Sequence, residues 1–151
     1  MAKRQNISKE DYLSGLNDII GKIQSAVDNM ESASVQGLAD ALIFIGTESQ
    51  TRTPVDTGDL RGSLEITIDD TIIAKGIKTG TEVERVAQPP ENGSVGRISY
   101  NTPYAANQHE HVEYDHPKGG QAKYLESVLV EYEDRILSLI GGAVINSLEE
   151  P

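Results

Sequence analysis

Histidines and carboxylates crowd into one short stretch of this 151-residue sequence, YAANQHEHVEYDHPKGGQAKYLE, residues 104–126. The stretch holds all 3 histidines of the chain, His109, His111 and His116, together with four carboxylates. Imidazole nitrogens and carboxylate oxygens are ligands that Zn²⁺ takes and groups that acid and base catalysis uses. In an extended segment His109 and His111 lie on the same side, so His116 could complete a three-histidine metal site.

The same side chains also fit a structural role. Their spacing matches no closed zinc motif, and Pro117, Gly119 and Gly120 are typical of a loop that crosses a surface. In that interpretation the imidazoles bond to backbone or to neighbouring carboxylates, and Glu110 pairs with Lys123. The sequence leaves metal binding open, but it favours the structural role and predicts no cofactor and no catalytic residue.

Composition narrows the possible functions. Cysteine is absent, which excludes a disulfide framework and a thiolate metal site. The chain carries 13 Lys and Arg against 24 Asp and Glu, a net charge of -11, and shows no basic stripe with which to bind phosphates tightly. An acidic wall beside DNA would repel phosphate and leave the DNA mobile.

The length and the apolar runs bear on domain number and location. A chain of 151 residues fits one domain, 1–151, that buries roughly two-thirds of its unfolded surface. The first twelve residues lack the apolar core of a signal peptide, and the longest apolar run, ALIFI, is too short to cross a bilayer. We therefore expect that the protein does not associate with a membrane. We expect it to assemble in the cytoplasm.

The elements that must hold the histidine stretch begin with a helical region at 8–51. Ser8 is the expected N-cap, and Pro54 ends the region because the residue before proline is pushed toward extended geometry. A first apolar stripe occupies Leu13, Leu16, Ile20, Ile23, Val27 and Met30. A second stripe, one residue out of phase, occupies Val35, Leu38, Leu42 and Ile45. The phase change predicts a kink or break at MESAS, residues 30–34.

The rest of the chain predicts a sheet followed by a closing helix. Alternating apolar residues indicate a hairpin at 63–79 and a third strand at 95–101, separated by an exposed polar loop at 81–94. A loop at 102–120 leads to a helix at 121–148, whose apolar stripe we expect to be the main cover of the sheet. The order predicts an α+β fold, with an antiparallel sheet of about three to four strands packed against a long N-terminal helical region and a long C-terminal helix.

Two blocks of sequence carry a family pattern, TPVDTGDLRGSLEI at Thr53–Ile66 and ISYNTPYAANQHEHVEYDHPKGGQAKYLESVL at Ile98–Leu129. The matching pieces are TPVDTGDLR at Thr53–Arg61, PYA at Pro103–Ala105, HE at His109 and Glu110, HP at His116 and Pro117, and GGQAKYLE at Gly119–Glu126. In these pieces and their order the chain resembles the small neck, tail-completion and head-tail joining proteins of tailed bacteriophages, often described as minor capsid or tail components. The helices before the first block match only in general character.

The resemblance implies a structural virion protein without catalysis. Such a protein forms a ring, a hexamer or dodecamer, in the neck between the portal or adaptor and the tail tube or tail terminator. DNA passes nearby without specific binding. The implied location is the head-tail junction of the virion, after assembly in the host cytoplasm.

Within the two blocks, several residues have a physical reason to matter. Asp56 or Thr57 can cap a short turn, and Gly58 allows a left-handed backbone position. Arg61 could pair with a carboxylate of a neighbouring subunit, and the Tyr104 ring should pack on the final helix. The structural and interface candidates are therefore Asp56, Gly58, Arg61, Tyr104, His109, Glu110, His116 and Lys123.

A second function remains open from the sequence, a small metal-dependent hydrolase that uses His109, His111 and His116. No Gly-x-Ser-x-Gly elbow or phosphate-binding glycine loop points to a nucleophilic enzyme. The loop at 81–94 is too long and proline-rich for a tight hairpin, so we expect it to become ordered only against a neighbouring subunit or tail protein.

Overall fold

One long helix begins the computed structural model, which describes residues 8–93 and 95–149. Helix α1 (Lys9–Arg52) has 44 residues and is about 66 Å long. The predicted N-cap is confirmed, since Ser8 Oγ accepts a hydrogen bond of 3.1 Å from the Asp11 N–H. The predicted end is also confirmed, because Thr53, which precedes Pro54, is extended at φ -67° and ψ 129°.

The predicted break at residues 30–34 is wrong, because α1 is helical throughout that stretch. The stretch contains neither proline nor glycine, so nothing in it stops a helix. The change of phase instead marks a change of surroundings. The second stripe is buried or half-buried from Val35 onward, whereas Leu13, Leu16 and Ile20 of the first stripe are exposed.

Four antiparallel strands form one sheet in the order β3-β2-β1-β4. They are β1 (Leu64–Ile68), β2 (Thr71–Gly76), β3 (Val83–Arg85) and β4 (Gly96–Tyr100). The predicted α+β class is therefore confirmed, and the hairpin and the third strand lie where the alternation of apolar residues puts them. Asp69 and Asp70 form the hairpin turn, with Asp69 in the left-handed region at φ 50°.

The predicted loop at 81–94 is partly a strand. Its residues 83–85 form β3, which pairs with β2 within the single chain, so this part does not need a neighbour to order it. Three residues are too few to show an alternation of apolar and polar side chains. Ser94, the last residue of that loop, lies outside the described residues, as do 1–7 and 150–151 at the two ends of the predicted domain.

The core lies between the sheet and the second half of α1. Strand β1 alternates, with Leu64, Ile66 and Ile68 fully buried. On β2, the neighbours Ile73 and Ala74 are both buried, because the register with β1 shifts at this point. The α1 side chains that complete this core are Val35, Ala39 and Leu42, with Leu38 and Ile43 partly buried beside them.

The closing helix is two helices, which corrects the prediction of one helix at 121–148. Helix α4 (Glu126–Glu131) ends at Tyr132, and α5 (Glu133–Glu149) follows. All residues of α5 are described and none is buried, so α5 is not the main cover of the sheet. It packs on α1 instead, and so closely that a Cβ at Gly37 would lie 2.8 Å from the Ile140 carbonyl oxygen. The sheet is covered by α1.

Two short helices lie in the connecting segments. Helix α2 (Asp59–Gly62) follows the end of α1, and α3 (Ala105–Glu110) occupies part of the predicted loop at 102–120. The N-cap residues Gly58 and Tyr104 form no side-chain cap bond, but Thr57 Oγ1 accepts a hydrogen bond of 3.3 Å from the Asp59 N–H at the start of α2. Among the described helices, none combines the length and the apolar character that crossing a membrane requires.

Candidate functional site

The two sequence blocks meet in space at the C-terminal end of α1. The Val55 N–H donates to the Gly119 carbonyl at 3.3 Å, and the Gln121 N–H donates to the Arg52 carbonyl at 2.8 Å. We call the region formed by residues 52–62 and 102–126 the joint. Because its two segments are held by backbone hydrogen bonds, their relative position depends little on which surface side chains they carry.

Two glycines allow the segments of the joint to approach. Gly58 has φ +84°, and a Cβ there would lie 2.5 Å from the Lys78 carbonyl oxygen. Gly120 has φ +92°, and a Cβ there would lie 2.4 Å from Pro54 Cα. Both contacts are closer than real Cβ atoms make, so both positions require glycine. The predicted left-handed position at Gly58 is confirmed.

Beneath the joint lies a buried polar network that the sequence analysis missed. The Tyr100 hydroxyl shares hydrogen bonds with Ser49 Oγ at 2.7 Å and Thr53 Oγ1 at 2.9 Å. Gln50 Nε2 donates to the Arg61 carbonyl at 3.0 Å. Ser49, Gln50 and Thr53 are fully buried, and burial raises the pKa of the Tyr100 phenol. The network links the end of α1, helix α2 and β4, and so fixes where the first segment of the joint leaves the helix.

Arg61 contributes to the same fixation. Its Nε–H donates to the Thr53 carbonyl at 3.3 Å, and the side chain is half-buried. This contact satisfies a carbonyl at the end of α1, where helix carbonyls have no partner in the helix. The pairing of Arg61 with a carboxylate of another subunit stays a prediction.

The buried tyrosine of the joint is Tyr124, and the expectation for Tyr104 is wrong. Tyr104 is 41% exposed and lines a groove beside Pro54 instead of packing on the closing helix. Tyr124 is 1% exposed, and its hydroxyl donates to the Ala105 carbonyl at 2.9 Å. Its ring meets the rings of Tyr100 and His109 edge-on, with centroids 5.0 Å and 4.9 Å apart. Burial raises the pKa of the Tyr124 phenol.

His109 is held by both ring nitrogens. Its Nε2 accepts a hydrogen bond of 3.3 Å from the Glu126 N–H, so the ring proton sits on Nδ1. Nδ1 lies 2.6 Å from Glu110 Oε1, to which it donates. His109 stands in the last turn of α3, so the extended segment assumed from the sequence is not present. The imidazole therefore joins α3 to the start of α4.

The other two histidines lie apart from His109 and from each other. His111 Nδ1 lies 2.6 Å from Glu113 Oε1, and its ring stacks on Tyr114 with centroids 4.7 Å apart. His116 lines the groove next to Tyr104, with Nε2 buried and no hydrogen-bond partner within the described part of the chain. The structure does not bring the three histidines into one site.

One group of residues in the described chain has metal-ligand spacing, His109, Glu110 and Glu126, whose ligand atoms lie within 4.8 Å of one another. Lys123 already supplies a cation there. Its ammonium lies 2.6 Å from Glu110 Oε2 and 2.9 Å from Glu126 Oε2. The predicted Glu110–Lys123 pair is confirmed, and the Glu110 side chain in it is exposed. The bond with Lys123 lowers the pKa of the Glu110 carboxyl, and the same bond raises the pKa of Lys123.

A groove of about 500 Å³ opens on the surface of the joint. Its walls include Tyr104, His116 and the turn at 54–60. Two carboxylates at its rim are paired, because Lys118 Nζ lies 2.8 Å from Asp56 Oδ1 and Lys78 Nζ lies 2.6 Å from Asp59 Oδ1, whereas Asp115 forms no ion pair within the described residues. The bond with Lys78 lowers the pKa of Asp59. A rim on which two of the three carboxylates are paired fits a contact surface of alternating charges.

The predicted candidates thus fall into three places. Asp56, Gly58, Tyr104 and His116 surround the groove, whereas His109, Glu110 and Lys123 form the ion-pair cluster and Arg61 braces the end of α1. The sequence analysis missed Glu126, whose three-residue spacing from Lys123 was visible, and the network of Ser49, Gln50 and Tyr100, which left no signal in the sequence. Comparisons of the chain with family models, curated proteins and solved structures give no match.

Proposed function

We propose that this chain is a structural virion protein of a tailed bacteriophage or prophage, which forms a ring in the neck that joins the head to the tail or completes the tail end. One observation carries the proposal. The two blocks that resemble neck proteins are far apart in the sequence, yet they pair backbone to backbone through Val55 with Gly119 and through Ile66 with Ile98. Gln121 also bonds to Arg52, the residue just before the first block. The resemblance therefore coincides with one physical unit, the joint.

The joint has the properties that a ring subunit needs. A ring requires each copy to present the same surface at the same angle to its neighbour, because small errors accumulate around a closed ring. Backbone pairing, left-handed glycines and the buried network under Thr53 hold the joint in one conformation. Its rim presents the exposed pair Asp56 and Lys118, and polar rims are typical of interfaces between folded subunits.

The histidine stretch fits the same role. His109 and His111 each bond to a carboxylate, and the Lys123 ammonium pairs with both Glu110 and Glu126. These contacts fix the shape of the loop. A metal-dependent hydrolase needs several ligands around one ion and an open position for water. The separate positions of the three histidines give that alternative no support.

The charge of the chain suits passage of DNA. At a net charge of -11 the protein repels phosphate on average. A ring that conducts DNA from head to tail must not bind it tightly, and tight binding would require rows of Lys and Arg. The portal or adaptor on one side and the tail tube or terminator on the other are the proposed neighbours.

The test is deletion of the gene in the phage or prophage that carries it, followed by electron microscopy of the lysate. We expect filled heads and tails that are not joined, or tails with abnormal ends, and restoration of joined particles by the parent gene supplied in trans. Mass spectrometry of purified virions should detect the protein.

Complementation with two glycine variants provides a matched pair. Gly120→Ala should fail to restore joined particles, because its Cβ meets Pro54. Gly119→Ala should restore more of them, because it adds backbone strain at φ +104° but its Cβ meets no described atom within 4 Å. Normal numbers of joined particles from the deletion phage, together with absence of the protein from virions, would overturn the proposal.

A further inference from the structure

The first part of α1 extends away from the sheet and exposes large aliphatic side chains. We call residues 9–29 the arm, and each side chain described there is exposed. The apolar members of the arm are exposed by between 39% and 60%, and they are Leu13, Leu16, Ile19, Ile20, Ile23 and Val27. Scattered apolar residues are normal on a surface, but a continuous row on one helix marks a contact site.

The row has the spacing of a coiled-coil seam. Leu13, Leu16, Ile20, Ile23, Val27 and Met30 follow one another at alternating intervals of three and four residues. This interval keeps one narrow face turned toward a partner helix. Continued along α1, the same spacing leads through Ser34 to Gly37, Ala41 and Phe44.

In the second half of α1 this seam is already occupied. Gly37 meets Ile140 and Ala143 of α5, and the Phe44 ring meets the Tyr132 ring edge-on with centroids 5.3 Å apart. Beside the arm, α5 lies on a different face of α1 from the row. Its Ser147 and Leu148 line a groove with Asp18 and Lys22, which lie across the helix from the row. Within the described chain, a helix therefore covers the seam from Gly37 onward and leaves it open from Leu13 to Ile23.

The arm is a poor helix by itself. Gly15 and Gly21 lie within it, and each lowers helix stability relative to alanine. A Cβ at either position would meet no atom of the described residues within 4 Å, so no close contact among those residues requires glycine there. In proteins most helical stability comes from packing of an apolar face, and the apolar face of the arm is exposed. A partner helix on that face would therefore stabilise the arm.

The charges around the row suit a second copy of the same chain. Between Leu13 and Val27 the flanking positions Asn17, Ile19, Gln24 and Ala26 are uncharged, and charged flanking residues, Glu10 and Glu31, occur only at the two ends of the row. Asp11, Asp18 and Lys22 lie on the far side of the helix. Two copies that each carry a net charge of -11 repel one another. The arm provides a face on which they can meet without placing like charges opposite each other.

We propose that the arms of two copies pack side by side as a parallel pair, with Ile20 of one copy against Ile20 of the other. The parallel direction rests on the proposed ring, in which all copies point the same way, and a ring of six or twelve copies can be built from such pairs. A competing surface on the neighbour is α5, where Leu137, Ile145 and Leu148 are exposed. Those residues lack the regular alternation of the arm, so they do not complement its knobs and holes.

Disulfide trapping in the full chain tests the register. The natural sequence has no cysteine, so a single introduced thiol reports one position. Ile20→Cys should form an interchain disulfide with copper phenanthroline as oxidant, because facing core positions in a parallel pair bring Cα atoms within disulfide range. Ser14→Cys, on the far face of the same helix, should not. A mixture of Ile20→Cys and Leu137→Cys that forms only the mixed disulfide would overturn the packing of arm against arm.

Sedimentation tests whether the row holds the copies together. Ile20→Glu places a charge in the seam and should weaken self-association at least tenfold, while Ser14→Glu adds the same charge on the far face and should leave it unchanged. The packing of arm against arm is overturned if Ile20→Glu sediments at the same rate as the parent. It is also overturned if the parent is a monomer at its highest soluble concentration. If Ile20→Glu still forms intact rings, the packing of the arms is overturned and the proposed neck function stands. If phage particles are normal without the gene, the proposed neck function alone is overturned.

Discussion

The arm and the joint lie at opposite ends of one helix and invert the usual pattern of burial. The arm exposes leucine and isoleucine, whereas the joint end of α1 buries Ser49, Gln50 and Thr53. Each arrangement is stable only with suitable partners. The polar residues find theirs within the chain, in Tyr100 and the Arg61 carbonyl, whereas Leu13, Leu16 and Ile20 of the arm stay exposed in the described part of the chain. The joint is therefore satisfied by contacts within one chain, and the arm is the end of α1 at which we propose contact with a second copy.

The largest expected difference between the arm and the body of the protein comes from removing a leucine in each. Leu64 is fully buried in the central strand β1, so Leu64→Ala should lower the free energy of unfolding by about 2 to 5 kcal/mol. Leu16→Ala in the arm should leave it nearly unchanged at low protein concentration, because Leu16 is 41% exposed. Denaturant unfolding followed by circular dichroism measures both. Equal losses would mean that the arm folds against the body.

The second difference lies within the joint, between adjacent glycines. Gly119 and Gly120 both have positive φ, at +104° and +92°, but only Gly120 faces Pro54. Gly119→Ala should lose about 1 to 2 kcal/mol through backbone strain alone. Gly120→Ala should lose about 1 to 3 kcal/mol more, because its Cβ forces the two segments apart. Equal melting temperatures for the two variants would contradict the close packing of the joint.

A third prediction concerns the buried hydroxyl under the joint. Tyr100→Phe leaves Ser49 Oγ and Thr53 Oγ1 without the oxygen that links them, and should lower the free energy of unfolding by about 1 to 3 kcal/mol. Tyr114→Phe removes a hydroxyl from a tyrosine that is 41% exposed and should have no measurable effect. Thermal melting of the two variants separates them. A silent Tyr100→Phe would show that the network does not hold the joint.

The smallest expected effect is at the exposed ion-pair cluster. Lys123 lowers the pKa of Glu110, so the contribution of Glu110 to stability is present above its ordinary value of 4.5 and is lost as pH falls through the lower folded value. Glu110→Gln should lower the melting temperature slightly at neutral pH, and this difference from the parent should vanish in acid. Glu82→Gln, in the connection between β2 and β3, serves as the control. A gap that widens in acid would contradict the assigned sign.

The same cluster predicts the response to a chelator. Because the Lys123 ammonium already lies between Glu110 and Glu126, EDTA should leave the melting temperature unchanged. A bound metal that stabilised the fold would instead make chelation lower it. A drop of several degrees would show that a metal competes with Lys123 for these carboxylates.

Local signals in the sequence were enough for the ends of α1, the hairpin and β4. Ser8 and Pro54 act on their immediate neighbours, and alternation marks a half-buried strand. The break at Tyr132 had no such signal. It occurs where the Tyr132 ring meets Phe44, a residue distant in the sequence. The continuity of α1 was missed for a related reason. An apolar stripe shows which face of a helix makes contacts but not which element it contacts, so a change of partner can be mistaken for a break in the helix.

The candidate site was predicted in composition but not in arrangement. Its residues come from both blocks, and the Glu110–Lys123 pair followed from nearness and opposite charge. The separation of His111 and His116 from His109 depends on helix α3, which is too short to show a helical period. The buried network under Tyr100 depends on the pairing of β4 with β1, which no local pattern encodes.

The wide sequence separation within the joint sets an order of events during synthesis. Asp56 and Lys118 are 62 positions apart, and the sheet lies between them in the chain. Helix α1 and the β1–β2 hairpin involve only nearby residues and can form while the chain is still emerging from the ribosome. The joint cannot close until residue 121 has emerged. A chain stalled before that residue would possess its arm but lack its joint, and nascent copies could meet through their arms before their joints are complete.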